Sequence, residues 1–255
     1  MLKHILQTPF LKLKGVVGVK GRMEKEYLDI IKENGISYLE LEAKPTIEQL
    51  GMFSADVDFI LMYKFEYILP KAFIEKNTVF NFHGGDLKTN RGAHAVVWSV
   101  LNCDERTCLS LYKLTGGIDE GEIVGQWWVE LEEEETVDSL NNKLGAGIPT
   151  LLLDLKECLL GNKEYTVCMG GDYIRKVNEM DYTLDLEKDS IRKIKAKIRS
   201  QYNYAGAICI WQGDAKRVKS YSYSKGNHGA RKIEEIEDGL LLSDNGECLK
   251  ICFLR

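Results

Sequence analysis

The chain of 255 residues lacks several signatures, and each absence excludes a class. No run approaches the ~18 consecutive apolar residues of a spanning helix, so no membrane partner is expected. There is no basic excess: 34 Lys and Arg stand against 39 Asp and Glu, a formal net charge of −5. Phosphate backbones are usually met by a basic face, which argues against a nucleic-acid binder while leaving room for a local patch. No Gly-x-Gly-x-x-Gly lies between an early strand and a helix. Gly145-Ala146-Gly147 sits inside a helical pattern and runs into Ile148-Pro149, which is no phosphate cradle. The seven cysteines are irregularly spaced, and neither Cys103/Cys108 nor Cys248/Cys252 has a second pair or a His cluster to complete a zinc site. They read as reduced thiols of a cytoplasmic protein with no metal. No acid precedes Glu24, but the segment is poor in Arg and Ser and Pro9 interrupts it. It reads as a short amphipathic helix through Leu2, Ile5 and Leu6 rather than a transit peptide. There is no internal repeat and no low-complexity tract.

What is present is an alternation of strands and helices. Gly15–Val19 is a β-branched strand. Residues 23–34 form a helix through Tyr27, Ile30 and Ile31, closed by Gly35. Strands follow at 36–41, 57–63 and 78–83, separated by a helix that Thr46 caps (46–53) and one with Pro70 in its first turn (69–77). The strands are apolar on both faces, the pattern of an open, mainly parallel, Rossmann-like α/β sheet. A helix at 94–102 and strands at 107–114 and 123–131 come next. Thr136 caps a long helical pattern through Val137, Leu140, Leu144, Ile148, Leu151, Leu155 and Leu159, which Pro149 must kink or restart.

The character then changes. Residues 165–186 read as irregular connection and 188–200 as a helix with Asp189 or Ser190 near its start. From Gly206 short strands alternate with turns at Gly213-Asp214 and Asp244-Asn245-Gly246. The reading is a catalytic domain at 1–174 and a small domain at 175–255, a helix plus a β-meander or barrel. The run Glu132–Glu135 reads as a solvated turn. The basic residues Lys188, Arg192, Lys193, Lys195, Lys197 and Arg199 read as a solvated helix face, with a phosphate-binding role as the lesser alternative.

The chemistry concentrates at the end of the 78–83 strand. Ligands of doubly wound sheets sit outside the carboxyl ends of strands. Asn81 and His83 are two apart there, so their side chains face one point. Gly84 and Gly85 let a backbone or ligand approach closely. A histidine so placed is often only structural. A second feature is the loop 115–126, where Gly116, Gly117 and Gly121 flank Asp119. It is either an ordinary turn aspartate or a carboxylate that sets the histidine tautomer and collects protons.

Three motifs in order, Asn81-Phe82-His83-Gly84-Gly85, Asn90-Arg91-Gly92-Ala93-His94 and Gly117-Ile118-Asp119-Glu120-Gly121-Glu122-Ile123, resemble those of the formyltransferases that use 10-formyltetrahydrofolate. These include methionyl-tRNA formyltransferase and the formyltransferases of nucleotide-linked amino sugars. Residues 65–71 are similar to the segment lining the family's folate pocket, and 201–207 with the strands beyond resemble the C-terminal domain of the transfer enzymes. The resemblance implies that a primary amine attacks the formyl carbon of the folate donor. Asn81 and His83 would donate to the oxyanion, each well-aimed donor worth roughly 3 kcal/mol, and Asp119 would hold His83 or take the proton the amine sheds. Phe65, Tyr67, Ile68, Leu69 and Gly117 would bind the donor. Gly84, Gly85, Arg91 and Gly92 would shape the acceptor side. Neither a metal nor a nucleophilic cysteine is implied.

Two departures from the family pattern bear on fold and substrate. Family members open with a strand and a glycine-containing turn, whereas Met1 falls where the first helix is under way. The sheet is expected to lack its first strand, whether because this start is internal to a longer product or because the sheet is built differently. The tRNA-acting members also carry a long basic loop near the first helices, and residues 20–35 here are compact. The expected acceptor is therefore a small amine, on a nucleotide-linked amino sugar, with initiator tRNA as the alternative. A formyltetrahydrofolate hydrolase and an inactive binding module stand behind these, and a homodimer is allowed for.

Overall fold

The computed structural model describes residues 1–116, 120–168, 171–226 and 229–254. They group into two compact units whose segments interleave along the chain. One contains Met1–Arg91, Cys108–Trp127 and Leu144–Tyr173, the other Gly92–Thr107, Trp128–Lys143 and Ile174–Arg255.

The first unit opens with α1 (Leu2–Leu6), β1 (Gly15–Val19), α2 (Lys25–Glu33) and β2 (Ser37–Leu41). β1 and β2 pair in parallel, and α2 supplies the crossover that parallel neighbours need. Gly35, at φ 61°, ends α2 in the left-handed region as its glycine predicts. α3 (Ile47–Phe53) starts with a capping box: Thr46 accepts from the Gln49 backbone N–H while Gln49 accepts from that of Thr46. β3 (Ile60–Tyr63), α4 (Lys71–Ile74) and β4 (Val79–His83) form a second parallel unit. β3 is shorter than the apolar run 57–63, and Pro70 sits just before α4.

The sheet expected to lack a strand is divided. β1 and β2 form a sheet of their own, separate from a five-stranded sheet in which β3 and β4 lie beside three later strands. Those later strands follow β5 (Arg91–Gly92) and α5 (Ala95–Asn102) along the chain. They are β6 (Arg106–Leu114), β7 (Gly121–Glu130) and, after α6 (Val137–Gly145) and α7 (Ile148–Leu159), β8 (Thr166–Cys168). β6 runs antiparallel to β4, and β8 antiparallel to β7. The long helical pattern restarts as two helices, with Pro149 in the first turn of α7, where its missing N–H costs nothing. Leu50, Leu69, Phe73 and Val79 pack as one apolar cluster, and Leu87, Tyr112, Ile123 and Cys168 as another. Each such side chain buried contributes ~1.5–3 kcal/mol of hydrophobic transfer energy.

The segment expected to be irregular between 165 and 186 contains β8, β9 (Tyr173–Ile174) and β10 (Thr183–Leu184). These strands are too short to leave an alternating pattern in sequence. In the second unit α8 (Ile191–Ser200) is capped by Ser190, whose hydroxyl accepts from the Lys193 N–H. β11 (Ile208–Trp211), β12 (Asp214–Lys225), β13 (Lys232–Ile236), β14 (Gly239–Asp244) and β15 (Glu247–Phe253) form, with β10, a six-stranded sheet in the order β10-β11-β12-β15-β14-β13. Ile191, Ile194 and Ile198 of α8 pack with Val218, Leu240, Leu242, Leu249 and Ile251 of that sheet.

Two readings are corrected in this unit. The basic residues of α8 are not a solvated face: Lys195 is 2% exposed, and Lys197 and Arg199 are also buried. Lys195 Nζ lies 2.8 Å from Glu133 Oε1 and 2.5 Å from Glu134 Oε1. Lys197 reaches Asp189 (2.5 Å) and the Thr183 carbonyl (2.7 Å), and Arg199 Nε donates to the Glu135 carbonyl (3.0 Å). The glutamate run is accordingly not a solvated turn throughout. Glu135 is buried and binds Lys143 at 2.5 Å, while Glu133 and Glu134 close over Lys195. Buried charges need partners; the glutamate run supplies them to Lys195 and Arg199, while Asp189 and Lys143 supply them to Lys197 and Glu135. Arg192 is exposed, as a solvated face would have it.

All seven cysteines are free thiols. Among the described residues no helix is long and apolar enough to cross a membrane.

Candidate active site

β4 delivers Asn81 and His83 to one side of the five-stranded sheet, because side chains two apart on a strand share a face. Their antiparallel register partners are Tyr112 and Ser110 of β6. Residues opposite each other in a ladder project to the same side. Four polar side chains are thus gathered on this face, among them the almost fully buried Tyr112 and Ser110.

Each is held. Asn81 Nδ2 donates to the Tyr112 hydroxyl at 3.0 Å. A carboxamide nitrogen carries two hydrogens, so the second remains to meet a substrate oxygen. His83, 8% exposed, places Nε2 2.7 Å from the backbone carbonyl oxygen of Asn90. A carbonyl only accepts, so Nε2 carries the hydrogen and a neutral ring has its lone pair on Nδ1. The Ser110 hydroxyl donates to the Gly85 carbonyl at 2.7 Å, and Gln126 Nε2 donates to Ser110 Oγ and to Asp86 Oδ1, both at 3.1 Å. Asp86 in turn organises the loop: its carboxylate accepts from the Lys88 N–H, and its backbone carbonyl accepts from those of Thr89 and Asn90.

Arg91, mostly buried, forms an ion pair with Glu120 through its Nη1. Its Nε has no hydrogen-bond partner among the described residues. The Arg91 N–H donates to the Asp172 carbonyl at 3.1 Å. Gly92 follows at φ 101°, a conformation that favours glycine. The Thr115 hydroxyl donates to the Glu120 carbonyl at 2.9 Å, closing the ends of the loop that carries Asp119. Gly117 and Asp119 themselves lie outside the described residues. At the loop's far end Gly121 adopts φ 152°, and a Cβ there would fall 1.9 Å from the Lys113 carbonyl oxygen, so only glycine lets β7 start this close to β6.

Of the expected donor-binding residues, Leu69 is buried and Phe65 partly buried in the cluster with Leu50, Phe73 and Val79. Phe65 meets Tyr67 edge-on with ring centroids 5.8 Å apart, and Ile68 is 66% exposed. Gly84 is half-buried and Gly85 buried. His94, in the second unit, caps α5 at φ 65°. Partial burial and the Lys176 charge both lower its pKa from the usual histidine value.

Sequence reasoning missed Tyr112, Ser110, Asp86 and Gln126. A serine and a tyrosine two apart, Ser110 and Tyr112, were the signal that this face of β6 is polar.

The family model for formyl transferases matches residues 20–153. The chain belongs to the formyl transferase family. Among curated relatives it is similar to methionyl-tRNA formyltransferase of Rickettsia felis, 25% identical over 211 residues that cover 81% of this chain and 68% of that one. It is also similar to the Prochlorococcus marinus MIT 9215 enzyme of the same name, 27% identical over 72% of this chain and 58% of that one. The chain thus spans about two thirds or less of these relatives' length.

Among solved structures it is similar to WlaRD, a sugar 3N-formyl transferase crystallised with dTDP and 5-N-formyl-THF. The TM-score is 0.74 at 17% identity, over 100% of this chain and 93% of that one. The N-formyltransferase from Helicobacter canadensis, in complex with folinic acid and dTDP-3-aminofucose, gives a TM-score of 0.70 at 18% identity, over 99% and 94% of the two chains. HypX from Aquifex aeolicus, bound to tetrahydrofolic acid, gives 0.72 at 14% identity, over 94% of this chain and 44% of that one. At these identities the structural likeness is one of fold, a Rossmann-like mixed α/β domain followed by a C-terminal β-sheet.

Proposed function

We propose that this formyl transferase moves a formyl group from 10-formyltetrahydrofolate to the primary amine of a nucleotide-linked amino sugar. The observation that favours a sugar is the extent of the fold match. WlaRD and the Helicobacter canadensis enzyme align with nearly the whole of this chain and more than nine-tenths of their own, whereas the tRNA-acting relatives extend well beyond the match. The net charge of −5 agrees, and so does the burial of Lys195, Lys197 and Arg199, which withdraws half of the basic cluster on and just before α8 from any phosphate backbone. We keep the division into a catalytic domain at 1–174 and a small domain at 175–255, the second presenting the acceptor, as part of this proposal.

The bound donor supplies a formyl carbon for attack by the amine and departs as tetrahydrofolate. The chain's own residues do the rest. Asn81, turned by Tyr112, offers its second Nδ2 hydrogen to the formyl oxygen as negative charge builds there. The resemblance implies a donor role for His83 as well; in this structure its Nε2 hydrogen meets the Asn90 carbonyl. We therefore assign His83 to take the proton of the attacking amine at Nδ1 and pass it to the departing folate nitrogen, with Asp119 as the carboxylate that stabilises the charged ring in between. Phe65, Tyr67, Ile68, Leu69 and Gly117 are proposed for the donor side, and Gly84, Gly85, Arg91 and Gly92 for the acceptor side. Incubation with 10-formyltetrahydrofolate and a panel of nucleotide-linked amino sugars, with mass spectrometry of the products, tests the reading. A formylated sugar supports it; formate release without any formylated amine would point to a hydrolase.

A further inference from the structure

The Gly84–Asn90 loop is tied to the sheet beneath it by one side chain that no motif marks. Gln126, on β7, spends both hydrogens of its carboxamide nitrogen on two bonds: one to Ser110 Oγ and one to Asp86 Oδ1, each at 3.1 Å. The Sγ of Cys108 lies 3.5 Å away. Because Ser110 Oγ accepts from Gln126, its own hydrogen is directed to the Gly85 carbonyl, at 2.7 Å, which fixes the start of the loop. Asp86, held by Gln126, builds the turn that fixes its end, since the Asn90 N–H donates to the Asp86 carbonyl at 2.8 Å. The Asn90 carbonyl is the acceptor that keeps the hydrogen of His83 on Nε2.

We propose that Gln126 is a positioning residue, which sets the His83 tautomer by fixing both ends of the Gly84–Asn90 loop through Ser110 and Asp86. It does not touch the reacting atoms. It acts by holding the Asn90 oxygen where it selects one of two nearly equivalent ring tautomers. Removing the carboxamide leaves Ser110 free to turn its hydroxyl and Asp86 without its lateral support, so the loop relaxes and the ring samples both tautomers. Displacements of about 1 Å in such a shell typically cost about 10²-fold in rate.

The activity arm of the test rests on the formyl-transfer reading; the tautomer arm does not. The full chain carrying Gln126→Met or Ser110→Ala is compared with wild type for kcat and KM, and for the ring nitrogen signals of His83 in ¹⁵N NMR, identified by their loss in His83→Gln. The expected result is a kcat about tenfold or more lower with little change in either KM, and a neutral His83 ring no longer confined to the Nε2-protonated form. A folded variant whose His83 tautomer is unchanged overturns the inference, whatever its kcat. If Gln126→Met does not fold, Ser110→Ala decides by the same criterion. A tautomer that responds in a protein that transfers no formyl group upholds the positioning role and removes the functional reading instead.

Discussion

His83 and Asn90 are joined by a 2.7 Å contact between a ring nitrogen and a backbone oxygen, and that contact decides which nitrogen of the histidine carries its hydrogen. The oxygen belongs to the main chain, so no substitution at position 90 removes it directly. What can change it is the path of the loop, and that path is set from β6 and β7.

On the proposed reading, Asn81 is the donor to the oxyanion. Asn81→Ala should lower kcat by ~10²–10³, because one well-placed donor to a developing oxyanion is worth about that factor, and should cost ~1 kcal/mol of stability for the lost bond to Tyr112. Tyr112→Phe keeps the ring and removes the hydroxyl that turns the carboxamide. It should lower kcat less, by about tenfold, and cost ~1 kcal/mol of stability for the lost hydrogen bond. Steady-state kinetics with urea melts of both variants separates the two effects.

His83→Ala and Asp119→Asn should each reduce turnover by ~10² or more with the fold intact, since on the proposed reading the first removes the proton acceptor and the second the carboxylate that stabilises its charged ring. Cys103→Ser and Cys252→Ser should leave turnover unchanged. A loss of activity without unfolding in either cysteine variant would reopen a thiol mechanism.

The acid cluster of the second unit makes its stability pH-dependent at both extremes. Hydrogen bonding to Lys195 holds the Glu133 carboxyl below its ordinary value. Burial pushes Glu134 up, but bonds from Lys195 and Tyr221 outweigh it; for Glu135 burial is likewise outweighed, by Lys143 and Ser139. Carboxyls lowered by folding contribute fully above the ordinary value of 4.5 and lose that contribution as pH falls through their folded values. Burial alone would lower Lys195, yet the bonds to Glu133 and Glu134 raise it on balance. Its contribution is complete below the ordinary 10.5 and is lost as pH rises through the folded value. Melting temperature should therefore plateau between roughly pH 5 and 10 and fall on either side. In Lys195→Met the acid limb should be shallower, since Glu133 and Glu134 have lost their partner. The double variant Glu133→Gln/Glu134→Gln, which takes both countercharges from the buried ammonium, should be destabilised at neutral pH by ~1 kcal/mol or more.

Gly121→Ala tests the junction of the Asp119 loop with the sheet. A methyl group 1.9 Å from the Lys113 carbonyl cannot be accommodated without moving β7, and the backbone conformation at φ 152° is itself unfavourable for alanine. The variant should be destabilised by more than ~2 kcal/mol in denaturant titration.

Much of this was legible in the sequence for local reasons. Asn81 and His83 stood out because two polar residues interrupt an apolar strand at its end. Thr46, Gly35 and Pro149 mark helix ends through chemistry confined to a few neighbouring residues. What escaped depends on partners distant in sequence. Nothing near Ser110 or Gln126 says that β6 and β7 will lie beneath the glycine loop, because register is fixed only when the sheet assembles. The lysines of α8 looked solvated because helical periodicity shows which residues share a face, not which acids arrive to cover it. The glutamates that bury Lys195 lie more than sixty residues upstream. The short β8, β9 and β10 have too few residues to alternate visibly.

Salt dependence separates the two acceptors. A nucleotide-linked sugar engages few phosphates, so kcat/KM should change only mildly between low and moderate salt. Recognition through six or more phosphate contacts of a tRNA would weaken by ~10³ or more over 50–200 mM. Titrating sodium chloride into each reaction gives the comparison.

The most direct measurement combines wild type and His83→Ala with 10-formyltetrahydrofolate and nucleotide-linked amino sugars, the products weighed by mass spectrometry. One formyl group should replace an amine hydrogen on the sugar with wild type and be nearly absent with His83→Ala. Formylation of charged initiator tRNA alone, or equal sugar formylation by both proteins, would contradict the account.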